Sequence, residues 1–134
     1  MSDNMTTLTG GVVREVEIKF LDSGQAAGKF TLAVDNGYMK GGAWEKKVSF
    51  LDIVAYGKLA ENAQASLSPG SRVCVTGKAS QRSWETQDGS KRSVVEFLAD
   101  DISVSLKFNT ATINRDGAPD ASSARRPAPD DDVF

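Results

Sequence analysis

The sequence predicts an all-β domain, a five-stranded Greek-key barrel with one short helix between the third and fourth strands, followed by a flexible tail. Three observations predict it. Apolar residues alternate in runs separated by turn-forming residues, as half-buried strands require. One ten-residue stretch carries a helical spacing instead. After about Asn109, Ala, Ser, Pro, Asp and Gly replace the large apolar side chains, a composition too poor in burial to offset ordering.

Val12 to Phe20 alternates through Val16, Ile18 and Phe20 as the first strand, and Asp22-Ser23-Gly24 forms a turn into the second, carried by Phe30, Leu32 and Val34. Asn36-Gly37 opens a polar, basic and aromatic loop containing Gly41-Gly42. Lys47 to Tyr56, rich in Val, Phe, Ile and Tyr, is the third strand. Leu59, Ala63 and Leu67 recur every fourth residue and Pro69-Gly70 stops the segment, so Lys58 to Leu67 reads as an amphipathic helix covering one end of the sheet. Ser71 to Trp84 and Arg92 to Leu106 are the last strands, joined through Gln87-Asp88-Gly89-Ser90. Three strands, a helix and two strands is the order of the OB-fold, which serves oligonucleotides and oligosaccharides alike. The expected organisation is an OB-fold domain over residues 1–108 and a flexible acidic tail over 109–134.

Composition narrows the chemistry. There is no histidine and only one cysteine, Cys74, so the commonest general base is missing and neither a disulfide nor a zinc site is expected. Cys74, between Val73 and Val75, is expected to pack as a small hydrophobe. No metal, cofactor or enzymatic activity is expected. Scattered carboxylates such as Asp52 and Glu85 lack an obvious second acid. The polar N-terminus has neither a signal-peptide pattern nor a spanning segment, so a cytoplasmic location is expected. The net charge of -2 is unevenly placed: residues 1–108 hold 13 basic and 13 acidic side chains, and the acidic excess lies in the tail.

The strand pattern separates two faces. Leu51, Ile53 and Ala55 suit a barrel interior, which leaves Phe50, Asp52, Val54 and Tyr56 opposite. In the fourth strand Val73, Val75, Gly77 and Ala79 share one face, and Thr76, Lys78, Ser80, Arg82 and Trp84 the other. Phe50 and Tyr56 alone would fit a subunit contact nearly as well as a ligand face. Trp84 beside Lys78 and Arg82 favours single-stranded nucleic acid, which needs flat surfaces for bases and cations for phosphates. The loop with Tyr38, Lys40, Trp44, Lys46 and Lys47 repeats the mixture, as does the hairpin carrying Trp84, Lys91 and Arg92. A protein-interaction module and an RNA-binding or oligosaccharide-binding module are the alternatives.

Several segments together, Phe30-Thr-Leu-Ala-Val34, Tyr56-Gly-Lys-Leu-Ala-Glu-Asn62, Pro69-Gly-Ser-Arg-Val73 and Arg82-Ser-Trp-Glu85 running into Asp88-Gly-Ser-Lys-Arg92, resemble the bacterial and phage single-stranded DNA-binding proteins. The resemblance spans about Leu8 to Leu106. It implies base-stacking positions at Tyr38, Phe50, Tyr56 and Trp84 and a phosphate contact at Lys58. Tyr38 and Phe50 stand where many members carry Trp. It also implies a homotetramer, roles in replication, recombination and repair, and partner recruitment through the terminal Asp130-Asp131-Asp132-Val133-Phe134. There Val133 replaces the usual proline.

Overall fold

The computed structural model describes residues 3–114. Among them are eight strand segments and one helix: β1 (Met5–Val12), β2 (Glu17–Phe20), β3 (Ala26–Asp35), β4 (Tyr38–Lys40), β5 (Ala43–Glu45), β6 (Val48–Tyr56), α1 (Lys58–Ser66), β7 (Arg72–Glu85) and β8 (Lys91–Val104). The main sheet runs β1-β7-β8-β6-β3-β2. A second pairing of β1, Gly11↔Ala33 and Val12↔Leu32 against β3, closes it into a barrel.

The five expected strands are present, with two differences in detail. The first begins earlier, at Met5, and is broken between Val12 and Glu17, because its two halves serve different partners. β1 pairs with β7 from Met5↔Lys78 to Gly11↔Arg72, whereas β2 pairs with β3 from Glu17↔Lys29 to Phe20↔Ala26. Val16, inside the break, is 5% exposed and holds the bend against the core. The second difference lies in the loop after Asn36, which forms the small β4–β5 hairpin. Gly41 and Gly42 adopt φ of 58° and 84°, the positive pair that a two-residue primed turn demands and that Gly supplies without strain.

The interior follows the expected parity. Leu32, Ile53, Val73 and Val75 are fully buried, and Phe30, Ala55 and Phe97 join them. Complete burial of a Leu, Ile, Val or Phe stabilises by about 1.5–3 kcal/mol each. The helix lies across the barrel end on Ala60, Ala63 and Leu67, with Leu59 packed at its edge. Its small residues permit a close approach: a methyl group on Gly28 of β3 would sit 3.1 Å from the Ala60 side chain.

One irregularity sets the faces of β8. Thr76 pairs with Asp101 but Gly77 pairs with Ala99, so Asp100 is an extra residue in the ladder, a β-bulge. Before it Phe97 and Ala99 point inward; after it Ile102 does. Gly77 is the residue this geometry tolerates, since a Cβ there would lie 2.0 Å from the Leu98 carbonyl oxygen. Cys74 differs from expectation: with Val73 and Val75 inward, it points outward, in register with Thr9 and Ser103, and is only partly buried.

Beyond the bulge β7 and β8 outrun the barrel. Ala79 and Val95 carry inward parity yet are exposed, because the paired strands project as a long hairpin past the core. Its turn falls where the sequence places it, but the positive backbone angle expected of Asp88-Gly89 belongs to Gly89 alone. Thr86 N–H donates to the Ser90 carbonyl at 2.8 Å, and Gly89 takes φ of 87°. The Asp88 carboxylate accepts from the Ser90 N–H at 3.0 Å and from the Thr86 hydroxyl. Those bonds, the Thr86 contact foremost, lower the Asp88 pKa to about 2.

Candidate nucleic-acid interface

The outward face of β3, β6, β8 and β7 is one continuous surface whose rows are fixed by register. Ala27 lies beside Tyr56, Lys29 beside Val54, Thr31 beside Asp52 and Ala33 beside Phe50. Val54 neighbours Leu98, which neighbours Lys78; Ser80 lies beside Glu96, Arg82 beside Val94 and Trp84 beside Arg92. Small residues of β3 flank the rings of β6, so Phe50 stays 64% exposed and Tyr56 45%. An aromatic left that open in a chain with a complete core is surface available for contact.

The projecting hairpin carries Trp84, 44% exposed, with the Arg82 guanidinium 4.9 Å from its ring centroid. That distance is within cation–π range and stiffens an otherwise free indole. Lys91 and Arg92 are exposed on the facing strand. On the β4–β5 hairpin Tyr38 is opposite Glu45 and Trp44 is opposite Met39, so the two rings lie on opposite faces of the ribbon. The Trp44 indole rests over Gly37, where a Cβ would meet Cζ2 at 2.5 Å, and remains 61% exposed. Lys40, Lys46 and Lys47 are exposed on or beside this ribbon. Lys58 opens α1 one residue beyond Gly57, pairing with Glu61 at 3.9 Å.

The sheet thus brings Phe50, Tyr56, Lys78, Arg82 and Trp84 onto one face and sets the two hairpins at its margins. It does not bring Tyr38 and Trp44 to a common face. Asp130, Asp131, Asp132, Val133 and Phe134 lie outside the described residues.

Sequence reasoning placed Asp52 and Arg82 on this face but missed Lys29 and Glu96, which join them on its floor. Lys29 approaches both Asp52 and Glu96 at 3.9 Å, Arg82 meets Glu96 at 3.4 Å, and the Thr31 hydroxyl donates to Asp52 at 3.3 Å. Glu96 is the least exposed member, its side chain 13% accessible. Arg82 is therefore engaged from two sides, by Glu96 and by Trp84. The parity of β3 held the signal: Phe30 and Leu32 inward place Lys29 and Thr31 outward. Which neighbours they meet depends on register, and that is not written in one strand.

Two hollows open on this face and share Tyr56 as a lining residue. One, of about 290 Å³, includes Lys19, Lys29, Arg82 and Glu96; the other, of about 450 Å³, includes Met5, Leu59, Lys78 and Asp100. Among the described residues no group of three or more His, Cys, Asp or Glu side chains could hold a metal, and no helix is long and apolar enough to cross a membrane.

Known proteins resemble this chain over most of its length. The single-stranded DNA-binding protein of Mycolicibacterium smegmatis is 39% identical over 116 residues, which cover 84% of this chain and 70% of that protein. The protein of the same description from Mycobacterium tuberculosis is 36% identical over 131 residues, covering 95% and 80%. That from Corynebacterium glutamicum is 38% identical over 118 residues, covering 86% and 52%. Residues 3–105, which take in every strand from β1 to β8, match the Single-strand binding protein family, and the chain belongs to that family.

Proposed function

We propose that this protein binds single-stranded DNA largely without regard to sequence, through the aromatic and cationic side chains of its outward sheet face and two hairpins. The observation that carries the reading is the joint placement of Phe50, Tyr56 and Trp84, each 44–64% exposed, on a surface that also presents Lys78 and Arg82. Every base has a ring face, so stacking of about 1–3 kcal/mol per base is indifferent to sequence. Three engaged rings supply several kcal/mol, about what a micromolar complex needs before phosphates contribute. The bases take Phe50, Tyr56 and Trp84, with Tyr38 and Trp44 on the β4–β5 ribbon. Phosphates take Lys40, Lys46, Lys47, Lys58, Lys78, Arg82, Lys91 and Arg92.

The family membership supports a role in protecting single strands during replication, recombination and repair, in the compartment that holds the DNA. It also supports self-assembly, to a tetramer. In this reading residues 1–108 are the binding domain, and residues 109–134 carry Asp130 to Phe134 to partner proteins. Carboxylates followed by two apolar residues suit a basic pocket with an apolar floor.

The test is competition for a fluorescent oligo-dT by unlabelled single-stranded DNA, duplex DNA and single-stranded RNA. Displacement by single-stranded DNA at far lower concentration than by duplex is expected, because a duplex offers no free base faces. Equal displacement by duplex would refute stacking, and preferential displacement by RNA would make this an RNA-binding module. Pull-down of replication and repair proteins with full-length chain, lost on deleting residues 130–134, tests the tip.

A further inference from the structure

The 450 Å³ hollow beside Tyr56 holds a carboxylate, Asp100, that neither stacking nor phosphate binding uses. Its size falls within the range of about 300–1,000 Å³ in which small ligands bind. Met5, Leu59, Gly77, Leu98 and Ala99 make it largely apolar, and Tyr56 supplies an aromatic wall. Lys78 and Asp100 bring the charges. Asp100 reaches it because it is the extra residue of the β8 bulge, and a bulge re-aims a side chain that regular pairing would point elsewhere.

The acids and bases of the neighbouring floor neutralise one another: Lys29, Asp52, Glu96 and Arg82 are all engaged. Among the described residues neither Lys78 nor Asp100 makes an ion pair or a side-chain hydrogen bond, although both line one hollow. A carboxylate in a DNA-binding face repels phosphate. Its favourable partner there is a base edge that offers donors.

We propose that this hollow is a base-reading subsite selective for guanine. The proposal rests on the single-stranded DNA reading above and adds a preference to it. Guanine alone among the four bases presents two adjacent donors, N1–H and N2–H, for the two oxygens of Asp100, with the O6 acceptor alongside for the Lys78 ammonium. Adenine and cytosine offer one amino group and thymine one imide N–H. Reading an unstacked base by its Watson–Crick edge against an aromatic wall is how single strands are read with selectivity.

The experiment measures anisotropy of labelled short oligo-dT strands carrying one central dT, dG, dA, dC or deoxyinosine, with wild-type protein, Asp100→Asn and Lys78→Met. Wild type should bind the dG strand about fivefold more tightly than the dT strand, the lower end of what a two-bond base contact gives. Deoxyinosine, which lacks the N2 amino group, should fall between. D100N should bind the dG and dT strands alike, whatever common shift the lost charge brings, and K78M should narrow the gap. Equal wild-type affinity for all strands would overturn the subsite and leave single-strand binding standing. A dG preference retained in D100N would overturn the role of Asp100. No binding of the dT strand would overturn the proposed function and the subsite with it.

Discussion

Replacing Phe50 by alanine separates binding from folding more cleanly than any other change on this face. Phe50 is 64% exposed, so about a third of its surface is covered by the fold. Full burial of such a side chain stabilises by roughly 1.5–3 kcal/mol, and a third of that is about 0.5–1 kcal/mol. In a domain of this size such a loss lowers Tm by a few degrees only. If a base stacks on the ring, its removal withdraws about 1–3 kcal/mol from the complex, or roughly 5- to 150-fold in Kd. Trp44 and Trp84 remain as fluorescent reporters. Titration with oligo-dT across a salt series should show that loss with the slope of log affinity against log salt unchanged, because no phosphate contact is removed. Substituting a phosphate-binding lysine should instead flatten the slope by about 0.7 per contact. An F50A protein binding within twofold of wild type, folded and monodisperse, would refute the assignment and make Phe50 part of a protein interface.

Other perturbations follow from particular contacts. Gly77→Ala would drive a methyl group into the Leu98 carbonyl, 2.0 Å away, with Leu98 C and the Ala99 Cα also within 3.0 Å, all backbone. Thermal denaturation should show a loss of about 1–3 kcal/mol or more, and an unchanged Tm would mean that the bulge is plastic. Glu96→Gln releases Arg82 from this carboxylate and leaves Lys29 with Asp52 alone. Oligo-dT affinity should rise about two- to fivefold at low salt, the gain fading as salt screens it; no gain would mean that neither cation meets phosphate. Asp88 titrates at about 2 in the folded chain, below its ordinary 3.8, so its turn is fully supported above the unfolded value and weakens as pH falls through about 2. A carboxyl NMR titration of Asp88 with its midpoint near 3.8 would contradict the turn geometry.

Much of this architecture was legible from alternation. The inward set of β6, the inward valines of β7, the helix and the Asp88-Gly89 turn follow from the periods of two and 3.6 and from turn chemistry. What the sequence hid depends on partners. Met5 to Gly10 looks like a polar terminus because its alternation is weak, and it becomes a strand only by pairing with β7. The bulge at Asp100 is a mismatch between two strands, and its one mark in the sequence is the glycine inside β7, Gly77. Gly41-Gly42 was read only as part of a loop, because its flanks of three residues each are too short to announce strands. The aromatic positions were legible because their parity opposes a wholly apolar set. The Lys29–Glu96–Arg82 network was not, since it joins three strands whose registers only the folded sheet defines. Cys74 shows the opposite error: its apolar neighbours suggested burial, while alternation between Val73 and Val75 sends it outward.

The most direct test of the central claim is intrinsic tryptophan fluorescence during titration with oligo-dT, followed by the same titration of Trp84→Ala. Trp84 sits exposed on the projecting hairpin with Arg82 against one side of its ring. A stacking surface predicts saturable quenching by single-stranded DNA, little response to duplex, and weaker binding in the variant with the residual signal coming from Trp44. No quenching and no retention of DNA at low salt would contradict it and turn this face into a contact between protein chains.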